Sequence, residues 1–388
     1  MSTRPTVLFY CQHSLGLGHL VRSFALARGL TERFRVVLLN GGPMPRGVQA
    51  PEGVEVVSIA PLGMDTDGTL VSRDGRRTVA RALALRNRQI LETLRRVAPA
   101  VIFIELFPFG RKKFAGELLA MLDAARELAR PPLVVSSLRD ILVGQRRDQA
   151  RHDERAATQA NEYFDAILVH TDPRFATLEE SFTPATALEV PVHYTGFVVP
   201  HAGTVARGVP PRRPRVVVSA GGGLYGQGLM DAAIDAQGEL ARNDIDLDLD
   251  LVCGPFLPLD VVQGLRARTR GRTGIRVRRS VPDLCAELAQ ASASVSQCGY
   301  NTALDVLRAG VPAVVVPFAE GREDEQTRRA ERLQRLGALR VLSERTLTGP
   351  RLAAEVTELL TFTPSPIDLG FDGARETTRI LGELVQAA

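Results

Sequence analysis

The stretch Ser294-Val295-Ser296-Gln297-Cys298-Gly299-Tyr300-Asn301-Thr302-Ala303-Leu304-Asp305-Val306-Leu307-Arg308-Ala309-Gly310-Val311-Pro312-Ala313-Val314-Val315-Val316 decides the reading of the chain. A short β-branched run (294–296) meets a glycine turn. An amphipathic helix follows over 303–309 and is stopped by Gly310-Val311-Pro312, and an apolar strand (313–316) comes next. Strand, glycine turn and helix start together make an anion site, because the first amides of a helix lack intrahelical partners and its dipole favours negative charge. Thr302 is a candidate cap, and Asp305 falls one turn into the helix, spaced to accept hydrogen bonds from a ribose or to act only as a dipole partner.

The same alternation extends outward in both directions. Before it, strands are expected at 7–10, 36–39, 54–59, 101–104, 133–136, 167–169 and 193–195, with helices such as 20–30, 78–96 and 114–130 between them. Most of these strands are continuous apolar runs, the pattern of strands covered on both faces. The segment 199–215 has the proline, glycine and arginine content of a linker. The pattern then restarts at 216–219, 246–252, 275–278, 294–296, 313–316 and 339–342. The fold class is therefore α/β, two doubly wound domains: residues 1–200 and 214–371, with a last helix over 372–388. Ligands of such sheets bind at the carboxyl ends of strands.

Composition narrows the function. The chain has 388 residues, 45% hydrophobic and 24% charged, with a net charge of +4 and no tryptophan. So mild a charge does not suit a nucleic-acid binder, and few aromatics argue against a stacking platform. Lys112 and Lys113 are the only lysines; the arginine excess reads as coding bias. Cys11, Cys253, Cys285 and Cys298 form no CxxC pair and read as buried thiols of a reducing compartment. No apolar run approaches the ~20 residues of a membrane span, and the N-terminus has no signal-peptide pattern. A cytoplasmic location is expected, with peripheral membrane contact left open.

Two further glycine turns stand after strands. Gly16-Leu17-Gly18-His19 opens the first helix but fails the dinucleotide fingerprint, since Val21 stands where the third glycine belongs. It reads equally as a ligand-binding turn or as a tight connection. Gly221-Gly222-Gly223 after 216–219 can cradle an anion with backbone amides. Glu325-Gln326 enters a later helix and could bind sugar hydroxyls. Asp65-Thr66-Asp67 and the alternating Asp244, Asp246, Asp248 and Asp250 lack a histidine or third carboxylate at fixed spacing, so no metal site and no cofactor are expected. The alternating series reads as a strand with one wet face.

The run 296–318, with Asp305 and then Glu325-Gln326-Thr327-Arg328-Arg329-Ala330, resembles the donor-binding half of GT-B glycosyltransferases of the MurG-like group, glycosyltransferase family 28. The 16–19 turn is similar to that group's N-terminal glycine-histidine loop, although the Gly-Thr-Gly-Gly-His of the lipid II enzyme is not matched. The resemblance implies two Rossmann-like domains facing across a cleft, acceptor side first, with the last helix crossing back to the first domain. It implies a nucleoside diphosphate sugar donor, UDP-linked, and a small-molecule or lipid-linked acceptor. By position it puts Gly16, Gly18, Gly221, Gly222, Gly223, Gly299, Tyr300, Asn301 and Thr302 around the donor. Val281 would stand by the base, Asp305 at the ribose where the family has a glutamate, and Glu325 and Gln326 at the sugar. The run Gly18-His19-Leu20-Val21-Arg22 also resembles nucleotide-sugar hydrolases of the same fold, and a non-catalytic nucleotide-sugar binder is a third reading. For an inverting transfer the base is expected to be His19, with Glu105 next and Asp140 third.

Overall fold

The computed structural model describes the chain apart from residues 1–3, 14–17, 45–47, 66–67, 145–146, 201–204, 210 and 319–323. It divides into two compact units. The first takes Met1–Leu142, Arg146–Ala202 and Leu369–Ala388, and the second takes Val143–Gln145 and Gly203–Asp368.

The first unit begins β1 (Thr6–Cys11), α1 (Gly18–Leu30), β2 (Arg35–Asn40), β3 (Val54–Ser58). An antiparallel hairpin of β4 (Leu62–Met64) and β5 (Leu70–Ser72) follows, too short to leave a periodic signal in the sequence. Then come α2 (Val79–Val97), β6 (Val101–Glu105), α3 (Ala115–Arg126), β7 (Leu133–Arg139), α4 (Gln149–Tyr163), β8 (Ala166–His170) and β9 (Val192–Tyr194). Seven strands make one parallel sheet in the order β3-β2-β1-β6-β7-β8-β9.

The second unit runs β10 (Arg215–Ser219), α5 (Gln227–Arg242), β11 (Asp248–Val252), α6 (Leu259–Thr269), β12 (Ile275–Arg278), α7 (Leu284–Ala289), β13 (Ala293–Ser296), α8 (Tyr300–Ala309), β14 (Ala313–Val315), α9 (Glu325–Arg335), β15 (Arg340–Val341), α10 (Gly349–Leu359). Its six strands are parallel in the order β12-β11-β10-β13-β14-β15. The last helix, α11 (Gly373–Ala387), belongs to the first unit.

In the first unit the continuous apolar strands serve two cores. Leu8 and Tyr10 of β1 face one core with Ile90 and Leu94 of α2 and Leu118 of α3. Val7, Phe9 and Cys11 face the other with Leu20 and Leu26 of α1 and Ile380 and Leu381 of α11. Alternation of side chains across a strand thus buries both faces. The return of the chain is pinned by the Phe197 amide donating to Gly370 O at 2.7 Å and by a bridge between Val198 and Asp372.

One buried charge organises the first unit. Arg86, on the inner face of α2, is fully buried. Its Nε donates to Glu117 Oε2 at 2.9 Å, and its Nη1 to the carbonyls of Gly41 and Ala60, both at 2.9 Å. Its Nη2 donates to Glu117 Oε1 (2.6 Å), Gln12 Oε1 (2.8 Å) and Tyr10 Oη (3.0 Å). The planar fork of donors on arginine meets acceptors in three directions, which an ammonium could not do. The segments leaving β1 and β2 are thereby fixed relative to α2 and α3.

The expected wet face at 244–250 is corrected. The strand starts at Asp248, and Asp250 is buried against Arg276 (2.7 Å), Arg215 (3.4 Å) and Arg278 (3.4 Å). Parallel pairing sets Asp250 beside Arg276, so the neighbouring strands bring the countercharges that water would otherwise supply. Asp246 stays exposed, outside the strand.

Removing one partner of the Arg86–Glu117 pair leaves the other buried and unpaired. Arg86→Ala should lower unfolding free energy by ~3–5 kcal/mol. The double change Arg86→Met with Glu117→Met should cost clearly less. Urea unfolding of the three proteins checks this; an equal loss in both would contradict it.

Candidate functional site

Each sheet reverses its strand order once. In the first unit the reversal falls between β1 and β6, in the second between β10 and β13. Chains leave the carboxyl ends of such neighbouring strands in opposite directions, opening a crevice suited to ligands. The chemistry-bearing turns of the sequence lie at these two places.

In the first unit, β6 ends on Glu105, which has no exposed surface. His19 and Arg22, three residues apart in α1, both reach its Oε1 at 2.5 Å. Arg111 Nε donates to Oε2 at 3.1 Å, and its Nη2 reaches the same oxygen. The loop carrying Arg111 back to Glu105 contains two non-glycine residues with left-handed backbone, Leu106 (φ 66°) and Arg111 (φ 60°), a conformation held by surrounding structure. Burial pushes the Glu105 carboxyl up, but Arg111, His19 and Arg22 outweigh it and hold it well below the usual range. Weighed as an alternative base, Glu105 is instead an ionised carboxylate enclosed by donors. The His19 side chain remains 23% exposed. Burial pushes its imidazole down to about 3 against the pull of Glu105, with Arg111 and Arg22 on the same side as burial. A neutral imidazole donating Nδ1–H to Glu105 carries its lone pair on Nε2, the arrangement a proton acceptor needs. Asp140 is buried. Gly18 opens α1, and Gly16 lies outside the described residues.

In the second unit three turns converge. Gly223 has φ 92°, and a Cβ there would stand 2.4 Å from Cys253 O, so only glycine lets these two turns meet. A Cβ on Gly221 would meet Thr302 Oγ1 at 3.3 Å, which places the 221–223 turn against the first turn of α8. Gly222 O accepts from the Phe256 amide at 2.9 Å. Gly299 is the N-cap of α8, and the first intrahelical bond runs from Ala303 N–H to Gly299 O (2.9 Å). The amides of 300–302 therefore belong to the open, positive end of the helix. Thr302 is not the cap: it is buried within the first turn.

Asp305 is half-buried one turn further on and makes no hydrogen bond or ion pair with the described residues. Burial pushes its carboxyl up to about 7; Arg308 opposes and Asp283, the N-cap of α7, adds to the rise. Val281 is half-buried in the segment between β12 and α7, two residues before Asp283. Glu325 is buried at the start of α9. Gln326 commits its Oε1 to two backbone amides, Cys298 (3.1 Å) and Phe318 (3.2 Å), leaving its amide nitrogen as the group able to meet a ligand. The structure adds Tyr225, exposed and stacked on Phe318 with centroids 4.4 Å apart. It also brings in Arg22, which the sequence showed only as part of the Gly18–Arg22 run and without a role of its own. Residues 66–67 and 319–323 lie outside the described set. Among the described residues no cluster of three or more His, Cys, Asp or Glu side chains could hold a metal ion, and no helix is long and apolar enough to cross a membrane.

Two Rossmann-like units, the second with glycine turns at its switch point, give the chain a GT-B fold. Residues 218–368 match the glycosyltransferase family 28 C-terminal domain. The UDP-N-acetylglucosamine--N-acetylmuramyl-(pentapeptide) pyrophosphoryl-undecaprenol N-acetylglucosamine transferase of Tolumonas auensis is 33% identical over 88 residues, 23% of this chain and 25% of that protein. The chain thus spans about a quarter of the length of the curated relatives it matches first. The enzyme of the same name from Xylella fastidiosa is 25% identical over 331 residues, 84% of this chain and 80% of that one. Among solved structures, the calicheamicin glycosyltransferase has a TM-score of 0.61 at 19% identity, covering 100% of this chain and 95% of its own. MurG of Acinetobacter baumannii has 0.59 at 16% identity, covering 99% and 100%. The second unit thus carries the family 28 C-terminal domain, and the chain as a whole has the GT-B fold.

A carboxyl raised from its ordinary value near 4 to about 7 binds more protons folded than unfolded between those values. Asp305 therefore removes stability as pH rises from 4 to 7. Asp305→Asn should raise Tm at pH 8, leave it nearly unchanged at pH 4, and weaken binding of UDP. Thermal melts across that range check it; an unchanged Tm at pH 8 would count against the raised carboxyl.

Proposed function

We propose that the protein is an inverting glycosyltransferase that moves a sugar from a nucleoside diphosphate sugar, UDP-linked, to a hydroxyl acceptor without an essential divalent ion. The observation that carries this reading is the His19–Glu105 pair at the first unit's switch point. The acceptor oxygen attacks the anomeric carbon as the bond from that carbon to the diphosphate breaks. His19 Nε2 takes the hydroxyl proton, and Glu105 fixes the tautomer and faces the imidazolium that forms. The electron pair leaves with the diphosphate, which the α8 N-terminus and the 221–223 turn stabilise in place of a metal. One such displacement inverts the anomeric centre.

The donor half of the reading is supported by the family 28 domain over 218–368. The base is supported by the relatives' name, which specifies a UDP sugar, and by a GT-B neighbour from Phytolacca americana solved with UDP-2-fluoro-glucose at 18% identity. Asp305 takes the ribose hydroxyls, Val281 flanks the base, and the Gln326 amide nitrogen, with Glu325 beside it, meets the sugar. The acceptor is a small-molecule or lipid-linked hydroxyl compound, and the site of action is the cytoplasm, on or off the membrane surface.

Purified protein incubated with UDP-sugars should release UDP faster when an acceptor is added, and should keep doing so in EDTA. Release that ignores every acceptor would make the protein a hydrolase; no release with tight binding would make it a sensor. His19→Ala should lower turnover ~10²–10⁴-fold with donor affinity kept. Glu105→Gln should lower both turnover and Tm, because it also takes the countercharge from Arg22 and Arg111. If His19→Ala weakened donor binding and kept its turnover number, the histidine would be a donor ligand instead.

A further inference from the structure

Cys298, the residue that leads into the α8 N-terminus, is gripped at both of its backbone polar groups by one helix. The Cys298 amide donates to Gln326 Oε1 (3.1 Å), and Cys298 O accepts from Arg329 Nη1 (2.8 Å). Gln326 and Arg329 are three residues apart in α9 and so share a face. Arg329 is 2% exposed, and its guanidinium carbon lies 5.8 Å from the centroid of the Tyr300 ring. Gln326 Oε1 also receives the Phe318 amide, so the same side chain ties the exits of β13 and β14 together. Cys298 directly precedes Gly299, the cap whose backbone sets where the 300–302 amides aim. A rotation about Cys298 would turn that cap, and with it the amides that meet a phosphate.

We propose that Gln326 and Arg329 form a clamp that presets the diphosphate cradle, acting on the phosphates through the two peptide units that flank the Cys298 Cα. They are positioning residues. The proposal rests on the donor reading above and extends it to a residue, Arg329, that neither the motif nor the glycine turns assign. It predicts selectivity of effect. Loosening the clamp should harm recognition of the diphosphate while sparing the nucleoside, which is held elsewhere by the segment near Val281 and by Asp305.

The test uses UDP, inorganic pyrophosphate and uridine as probes, with the full chain and its Gln326→Met, Arg329→Met, Arg329→Lys and double-methionine variants. Titration calorimetry and NMR titration give affinities, and thermal melts show that each variant is folded. Each methionine variant should weaken UDP and pyrophosphate by ~10–100-fold, the scale of a hydrogen bond involving a charged group. Uridine affinity should not change. Arg329→Lys, which keeps a charged donor for Cys298 O, should recover part of the loss. The double variant should be no weaker than the worse single one, because both side chains hold the same residue. Equal losses for UDP and uridine would reduce the pair to general scaffolding and overturn the proposal, as would unchanged UDP binding. Wild-type protein that binds neither UDP nor pyrophosphate would sink the donor reading itself, whereas wild-type binding with unaffected variants would sink the clamp alone.

Discussion

A carboxylate without exposed surface is the constraint on which the first unit's site depends. An isolated charge at the end of β6 would be far too costly to bury. Glu105 is tolerable there only because α1 delivers His19 and Arg22 and the following loop returns Arg111. A helix more than eighty residues away and the loop that follows the strand must therefore converge before the sheet can close around that strand end. The same convergence gives the imidazole its orientation. Burial, helped by the two guanidiniums, keeps the histidine neutral against the pull of Glu105, with its lone pair on Nε2. A cluster needed for folding thus doubles as the device that selects a tautomer.

Both units solve the placement problem with the same two elements. In each unit the strand order reverses once, and beside that point a pair of helical residues three apart holds one residue: His19 with Arg22 on Glu105, Gln326 with Arg329 on Cys298. The chemistry differs. The first unit gathers ionised groups that neutralise one another. The second gathers glycine turns and a helix end, whose positive character has no countercharge of its own within the motif. Asp305 is the exception there, a half-buried carboxylate without an ion-pair partner among the described residues, and its raised pKa records what that position costs the free protein. Such a group is retained where a ligand completes its hydrogen bonds.

Local pattern carried most of the architecture. Continuous apolar runs named the strands because both faces are covered, and the glycine turns after 216–219 and 294–296 do meet in the second unit, because backbone without side chains can approach that closely. What stayed illegible depends on register. Asp250 looked solvated because its neighbours along the chain alternate with it, yet its countercharges sit on adjacent strands. Thr302 has the composition of a cap, but the helix begins two residues earlier, at Tyr300. Glu105 could be placed at a strand end from the sequence, but not enclosed, since Arg22 and Arg111 approach it from opposite directions along the chain. The hairpin at 62–72 left no trace because three residues per strand do not establish a period.

Arginine usage shows the same limit from another side. With only two lysines in the chain, the excess of arginine reads as a bias of coding, and for most exposed positions that reading suffices. Among the described residues it hides three arginines that are almost fully buried: Arg22, Arg86 and Arg329. Each works by geometry. Arg86 spreads its donors over Tyr10, Gln12, Gly41, Ala60 and Glu117, an arrangement that requires a planar fork and would fail with a single ammonium. Arg329 reaches the Cys298 carbonyl from α9 with its guanidinium near the Tyr300 ring. A biased composition therefore does not remove selection for the residue type; it removes the sequence's ability to show where that selection acts, and only the count of acceptors around each guanidinium restores it.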